Sequence, residues 1–296
     1  RYLYLPSFGL CAMAADLAVA YALGSERRAI VACCGAAAFV VASFAAILMI
    51  EPYWRDETAA CKRCVEQAPL VAYCHDGLAM ALMRDGDLAG ARREAQRAIE
   101  LDPQEGLNLH DLAVIDENRG DMQSAARELT AALKLIDKPA ANLYTELALD
   151  DDAIGDTVGT EEALRRAQTI PDSANIATLT RAQILFRHGN AKHAEIVLRE
   201  LLWRAPNYVV ALRTLGAILS SQHRYGEALT IYRQAESLSP SDPALHYLQA
   251  IALHRIGRDG EARSQCALAL AVVPRDQKAL RLMTEIDRAN SAKEPE

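Results

Sequence analysis

Aromatic residues are scarce in this chain, 5% of its 296 positions, and neither sign of charge gathers into a run. The net charge of −7 lacks the basic excess that a nucleic-acid-binding face needs, so nucleic acid is not expected as a partner. No nucleophile elbow, P-loop or dinucleotide fingerprint occurs anywhere in the sequence. The seven histidines, at 75, 110, 188, 193, 223, 246 and 254, have no metal-ligand spacing, and no cofactor, metal site or catalytic residue is expected. His188 and His193, five apart across a Gly turn, read as surface residues. The acidic triplet Asp150-Asp151-Asp152 lacks the alternation and closing Glu of a calcium loop and reads as a solvated turn. Seven cysteines, an odd number irregularly spaced, do not form a disulfide framework. Cys61-Lys62-Arg63-Cys64 is a CxxC with no second ligand pair; packing, a disulfide or thiol switch, and a metal are the readings open, in that order.

What is abundant is Ala and Leu, which favour helices packed through small residues over strands. The chain begins at Arg1 within an apolar stretch and is expected to be a piece of a longer protein. Residues 29–50 contain no charge; at 1.5 Å per residue such a helix is roughly 33 Å long, enough to cross a membrane. Residues 3–23 form a second, weaker candidate span. In it Asp16 would face other helices or a polar cavity, in a functional or a merely tolerated role, and a cleaved signal peptide is the alternative. Membrane lipid would then be a partner of these N-terminal helices. Arg27-Arg28 between the candidate spans points to a cytoplasmic loop, which places everything after Ile50 on the non-cytoplasmic side.

Beyond residue 71 one period governs the sequence. Small residues recur at Ala79, Ala113, Ala148, Ala182, Gly216 and Ala250, spaced 34 or 35 apart. A second set follows at Ala91, Ala125, Thr160, Ala194, Ala228 and Ala262, and a third at Ala98, Ala132, Ala167, Leu201, Ala235 and Ala269. Turn residues stand at Gly86, Gly120, Gly155, Gly189, His223 and Gly257, and Pro or Asp closes each unit. Two antiparallel helices approach closely only where a side chain is a hydrogen or a methyl, while Gly ends the first helix and Pro the second. Larger residues such as Leu78, Leu112, Leu147, Leu185 and Leu219 fill the intervening space.

This pattern resembles the tetratricopeptide repeat (TPR), a 34-residue helix-turn-helix unit, most closely at 225–247. The fold class expected is all-α: a right-handed superhelical solenoid of six repeats, 72–105, 106–139, 140–174, 175–208, 209–242 and 243–276. A junction and half-repeat helix (51–71) precede it. A capping helix and tail (277–296) follow, with Leu280, Met283 and Ile286 turned onto the last repeat. The third repeat carries one extra residue, and with the acidic triplet where its first helix should end, a distorted turn is expected there.

The concave face of such an array, lined by first helices, is its expected working surface, for a protein or an extended peptide. The register places Met80, Met83, Arg84, His110, Asn118, Asn142, Thr145, Gln183, Phe186, Arg187, Arg213, Tyr247, Ile251, His254 and Arg255 there. Arginines among aromatics and amides suit an extended or acidic segment, although Met80 and Met83 occupy positions where a clamp for an acidic chain end would need polar groups.

Arg1-Tyr2-Leu3-Tyr4-Leu5-Pro6-Ser7, followed by Phe8-Gly9-Leu10-Cys11, resembles a segment of the transmembrane-and-TPR O-mannosyltransferases and their bacterial relatives, in the C-type glycosyltransferase superfamily. In that family a hydrophobic helix and a Trp-Arg motif lead into the repeats, and Trp54-Arg55 stands at that point here. The resemblance implies a parent enzyme that transfers a sugar from a polyprenyl phosphate to protein. Its catalytic acids would lie upstream of Arg1, so none is carried over and this chain alone is not expected to be catalytic. The other class of reading is a non-enzymatic membrane-anchored adaptor or assembly scaffold.

Overall fold

A computed structural model describes residues 56–171 and 173–291, together with the single earlier position 19. Apart from position 19, the candidate spans 3–23 and 29–50, the loop between them, the Arg1–Cys11 segment and Trp54-Arg55 lie outside the described residues. Among the described residues no helix is long and apolar enough to cross a membrane.

Fourteen helices and no strand make up the described chain after residue 55. The chain divides into two compact units at Pro103/Gln104. The first contains α1 (Glu57–Gln67), α2 (Ala72–Arg84) and α3 (Leu88–Leu101). The second contains five helix pairs and a terminal helix. The pairs are α4 (Gly106–Arg119) with α5 (Met122–Leu135), α6 (Ala141–Ile154) with α7 (Thr157–Thr169), α8 (Ala174–Arg187) with α9 (Ala191–Arg204), α10 (Val209–Ser221) with α11 (Tyr225–Leu238), and α12 (Pro243–Arg255) with α13 (Asp259–Val272). The terminal helix is α14 (Gln277–Ser291).

Every pair is closed in one way. The backbone N–H at 87, 121, 156, 190, 224 and 258 donates to the carbonyl five residues earlier, at 82, 116, 151, 185, 219 and 253, over 2.8–2.9 Å. The residue before each donor has positive φ, so it is Gly in five of the turns. His223 (φ 63°) takes the sixth. Asp87, Asp121 and Asp156 are at once the last residue of such a turn and the N-cap of the next helix, accepting from Gly90, Ser124 and Gly159. Asn190, Arg224 and Arg258 stand at the same place without a side-chain cap bond. Arg224 and Arg258 bond instead to Glu227 and Glu261 one turn on.

All three sets of periodic small residues are buried, with Thr160 the most accessible at 6%. Inside each pair a small residue of the first helix stands sixteen positions before a fully buried residue of the second: Ala113 and Leu129, Ala148 and Leu164, Ala182 and Leu198, Gly216 and Tyr232, Ala250 and Cys266. The pair with the smallest member has the largest partner. Glycine gives up its methyl in α10, and the Tyr232 ring occupies that space. Interiors are packed to near-crystalline density, so one volume constrains the other.

In the first unit α1 is bound to α2 at three points. Cys64 forms a disulfide with Cys74, Thr58 Oγ1 donates to Asp85 Oδ2 (2.6 Å), and Arg84 Nη2 donates to Glu57 Oε1 (2.6 Å). Of the readings open for the CxxC, packing, placed first, gives way at Cys64 to a disulfide. Cys64 is bonded not to Cys61 of the same motif but to Cys74 of the next helix, with Cα atoms 5.4 Å apart. Cys61 remains a free thiol, half-buried, with its pKa raised by burial and by Glu57.

The acidic triplet also departs from expectation. Asp150, Asp151 and Asp152 lie within α6, and the turn after it is the same closure found in the other pairs. The extra residue is accommodated earlier, in the linker 136–140, which has five residues where the other linkers between pairs have four. Nor is the triplet a solvated turn, since Asp150 and Asp151 are 4% and 8% exposed. In α14 the buried stripe is Ala279, Leu282 and Ile286 with Met283 beside it, while Leu280 turns outward at 38% exposure.

Candidate functional site

Within the second unit the first helices α6, α8, α10 and α12 touch one another in succession, and α14 continues the row. The second helices make no comparable contact among themselves. The first helices therefore line the tighter face, and the side chains they leave uncovered form a continuous surface. Across α8, α10, α12 and the start of α14 that surface is hollowed into a groove of about 540 Å³. Gln183, Arg213 and Tyr247, three residues expected from the register, are brought together there, beside Val210, Thr214 and Lys278.

Arg213 Nη1 lies 3.3 Å from Asp242 Oδ2, an ion pair at the N-cap of α12. Burial raises the pKa of Tyr247, which packs against the core through its ring while its edge reaches the groove. The walls combine hydrogen-bonding groups, Asp276 among them, with apolar ones, a mixture that suits an extended peptide.

Other expected residues are placed differently. Phe186 and Ile251 pack on the hydrophobic core and are half-buried. Thr145 is 6% exposed, its hydroxyl donating to the Asn142 carbonyl, so it is not part of the surface. Asn142 is exposed, as is Asn118, whose amide donates to the Val114 carbonyl. Arg187 is exposed and pairs with Asp152 (2.9 Å), and His254 pairs with Asp259 (2.6 Å). Arg255 is exposed at the end of α12. Met80 and Met83 are half-buried on α2 in the first unit, and Arg84 beside them is held by Glu57.

Most of the arginines expected to attract an acidic segment are therefore paired with carboxylates of the chain itself. The carboxylates left over gather between α4 and α6. His110 bridges the two helices, with Nδ1 3.2 Å from Asp111 and Nε2 3.1 Å from Glu146; these hydrogen bonds raise its pKa to about 10, so it is a cation at neutral pH. Asp150 is raised to about 7, by burial first and then by Glu117, Asp151 and Glu146. Asp151 is raised to about 6 by burial and Asp156, and Glu117 is raised by burial and Glu146. Register reasoning found His110 but missed Glu117, Glu146 and Asp150. A buried Asp at a position where the equivalent residues are Ile115, Ile184 and Ile218 is the signal that would have found it.

The remaining histidines are accounted for by packing. His75 and His246 occupy equivalent positions, each bonding through Nε2 to the carbonyl of the preceding proline, Pro69 or Pro240, and through Nδ1 to Glu94 or Gln265. Both are buried and fully engaged. His188 and His193 are exposed, bonded to Asp152 and Asn190. Among the described residues no group of His, Cys, Asp and Glu is arranged to hold a metal ion.

Two family models, both for the tetratricopeptide repeat, match the chain at residues 72–105 and 219–286. Human anaphase-promoting complex subunit 7 is 27% identical over 124 residues, covering 42% of this chain, as is the mouse protein. The chain spans 22% of the length of these curated relatives. Among solved structures, yeast Tom70 is similar with a TM-score of 0.65 at 18% identity, over 79% of this chain and 51% of that one. A tetratricopeptide repeat protein from Parabacteroides merdae gives 0.61 at 14% identity, over 80% and 96%. A chain of the APC/C hetero-tetramer Cut9-Hcn1 gives 0.50 at 18% identity, over 81% and 50%. At these identities the likeness to solved structures is one of fold. The turn closure and the small-residue sets recur in the helix pairs between the two matched stretches as well as within them, so the described chain is a row of helix pairs similar to those of tetratricopeptide-repeat proteins.

Proposed function

We propose that the array is a protein-binding module whose partner lies as an extended segment along the faces of α8, α10 and α12. The groove over these helices carries the reading: it crosses several consecutive first helices and alternates Gln183, Arg213 and Thr214 with Val210, Tyr247 and Leu248. The chain's likeness to anaphase-promoting complex subunit 7 supports a role in assembly with other proteins. The test is affinity capture from an extract of the source organism, comparing the unaltered chain with Arg213→Glu and, as a control on an exposed second helix, Trp203→Ala. Partners lost with Arg213→Glu and kept with Trp203→Ala support the reading. Partners kept by both variants contradict it.

Two settings for this module follow from the sequence. One is the tail of a membrane protein glycosyltransferase using a polyprenyl-phosphate sugar, and only the Arg1–Cys11 segment and Trp54-Arg55 support it. The other is a non-enzymatic membrane-anchored scaffold, with which the repeat array agrees equally well. Determining the reading frame upstream of Arg1 separates them: many further spans with a paired-acid loop favour the transferase, and an initiation codon a few residues upstream excludes it. In either setting we place the repeats on the non-cytoplasmic side. The Arg27-Arg28 loop and the Cys64–Cys74 disulfide support this, because disulfides persist mainly in oxidising compartments. Protease digestion of intact cells or spheroplasts tests it, and protection of the repeats as a cytoplasmic domain would contradict it.

A further inference from the structure

The seam between α4 and α6 differs from the other seams of the second unit. At this seam a side-chain bridge, His110 of α4 to Glu146 of α6, joins the two first helices. The five-residue linker 136–140 enters α6 at this place. Carboxylates collect along the seam: Glu117 on α4, and Glu146 and Asp150 on α6, each close enough to feel the others' charge. One cation, His110, answers them, and it is shared with Asp111.

A second observation points outside the chain. Asp150 is 4% exposed, yet its Oδ2 has no hydrogen-bond partner among the described residues. Buried polar atoms are nearly always satisfied, and a buried carboxylate oxygen left without a hydrogen bond is destabilising. In the neighbouring repeats this position holds Ile115 or Ile184, so the fold itself asks for an apolar residue there. The two glutamates are more accessible than Asp150, with Glu146 35% exposed. Glu117 forms no ion pair within the described residues, which leaves its carboxylate available.

We propose that the α4/α6 seam is a subsite for a basic side chain, Lys or Arg, of a bound protein segment, the head group entering between Glu117 and Glu146 to reach Asp150. An ammonium or guanidinium group is donor-only, carries the charge the seam lacks, and supplies the hydrogen bond that Asp150 Oδ2 is missing. This rests on the protein-binding reading and deepens it. The segment that crosses the groove at α8–α12 is basic where it passes α4 and α6. The arrangement also reverses the electrostatic preference expected from the arginines, because Arg187 and Arg213 are occupied by Asp152 and Asp242.

The test is fluorescence anisotropy of the full chain with two labelled dodecapeptide probes, identical except for a central Lys-Ala-Lys in one and Glu-Ala-Glu in the other. The basic probe is expected to bind at least tenfold more tightly, and Glu117→Gln to weaken it about threefold or more. Glu117→Gln removes no hydrogen bond of the fold, so it tests the subsite without unfolding it. Asp150→Asn is the second variant, expected to weaken the basic probe and leave the acidic one unchanged, with circular dichroism confirming the same helix content. Equal affinity for the two probes, preference for the acidic one, or a basic-probe affinity untouched by Glu117→Gln overturns the subsite. Each of those results leaves the protein-binding reading standing. No binding of either probe also overturns the subsite, and the capture experiment with Arg213→Glu then decides the broader reading separately.

Discussion

Gly216→Ala is the most informative single change in the array, because its sign depends on one partner. A Cβ added at Gly216 would lie 2.7 Å from Cδ1 and 2.8 Å from Cζ of Tyr232, and closer still to Cε1. Carbon atoms prefer about 3.5–4.0 Å, so the ring would have to retreat by roughly 1 Å. It has little room to do so, since Tyr232 is 0% exposed and its hydroxyl lies 3.4 Å from Ser220 Oγ. Overpacking of this kind is destabilising by about 1–3 kcal/mol, while replacing a helical Gly by Ala stabilises by about 1 kcal/mol. The net expectation is a loss of about 1 kcal/mol. In the Tyr232→Leu background the collision is gone and the pair becomes the Ala–Leu combination found at Ala113/Leu129, Ala148/Leu164 and Ala182/Leu198. There the same Gly216→Ala change should stabilise by about 1 kcal/mol, a coupling of about 2 kcal/mol. Repeat arrays open locally, so the measurement is amide hydrogen exchange of α10 and α11 across all four members of the cycle. An effect of Gly216→Ala equal in the two backgrounds, to within about 0.5 kcal/mol, would refute the volume-compensation argument.

Three further outcomes are expected. His223→Gly should stabilise the α10–α11 turn by about 0.5–1 kcal/mol, because His223 holds φ 63° where the other five turns use Gly; an unchanged opening free energy there would mean that the contact with Tyr225 offsets the strain. Asp150→Asn should raise stability at pH 8 more than at pH 5. The native Asp150 pKa of about 7 lies above its unfolded value, so its contribution is fully present below about pH 4 and is lost as pH rises through 7; a gain that does not vary with pH would contradict this. Reduction of the Cys64–Cys74 disulfide should loosen α1 from α2, read as faster exchange in α1 with α2 and α3 little changed, and a peptide mass map should find the two cysteines linked in the unreduced chain.

The regular features of the fold are legible in sequence because each rests on one steric demand. Ala or Gly at the helix crossings, a left-handed residue after the first helix and Pro after the second can be recognised without knowing their neighbours, and all three small-residue sets are buried. What is not legible depends on contacts between elements. Asp150 to Asp152 look like a solvated turn because charge defaults to water, yet their burial is imposed by the packing of α6 against its neighbours. The Cys64–Cys74 bond joins two helices across a short turn, which cysteine spacing alone does not reveal. In α14 an interval of three passes through Leu280 as readily as through Leu282, and only contact with the preceding pair selects Ala279, Leu282 and Ile286. The proposed binding surface divides in the same way. Gln183, Arg213 and Tyr247 follow from the register, whereas the pairing of the arginines and the acidic seam between α4 and α6 emerge only when the helices are assembled.

The central claim is that partners are held on the face of the first helices. Site-specific photo-crosslinking in the source organism tests it most directly, with a photoreactive residue placed in turn at Val210 and Thr214 in the groove, and at Ile196 and Trp203, which are 61% and 84% exposed on α9. The account predicts a discrete crosslinked protein from Val210 and Thr214 and none from Ile196 or Trp203. The reverse pattern, with crosslinks from α9 alone, would contradict it.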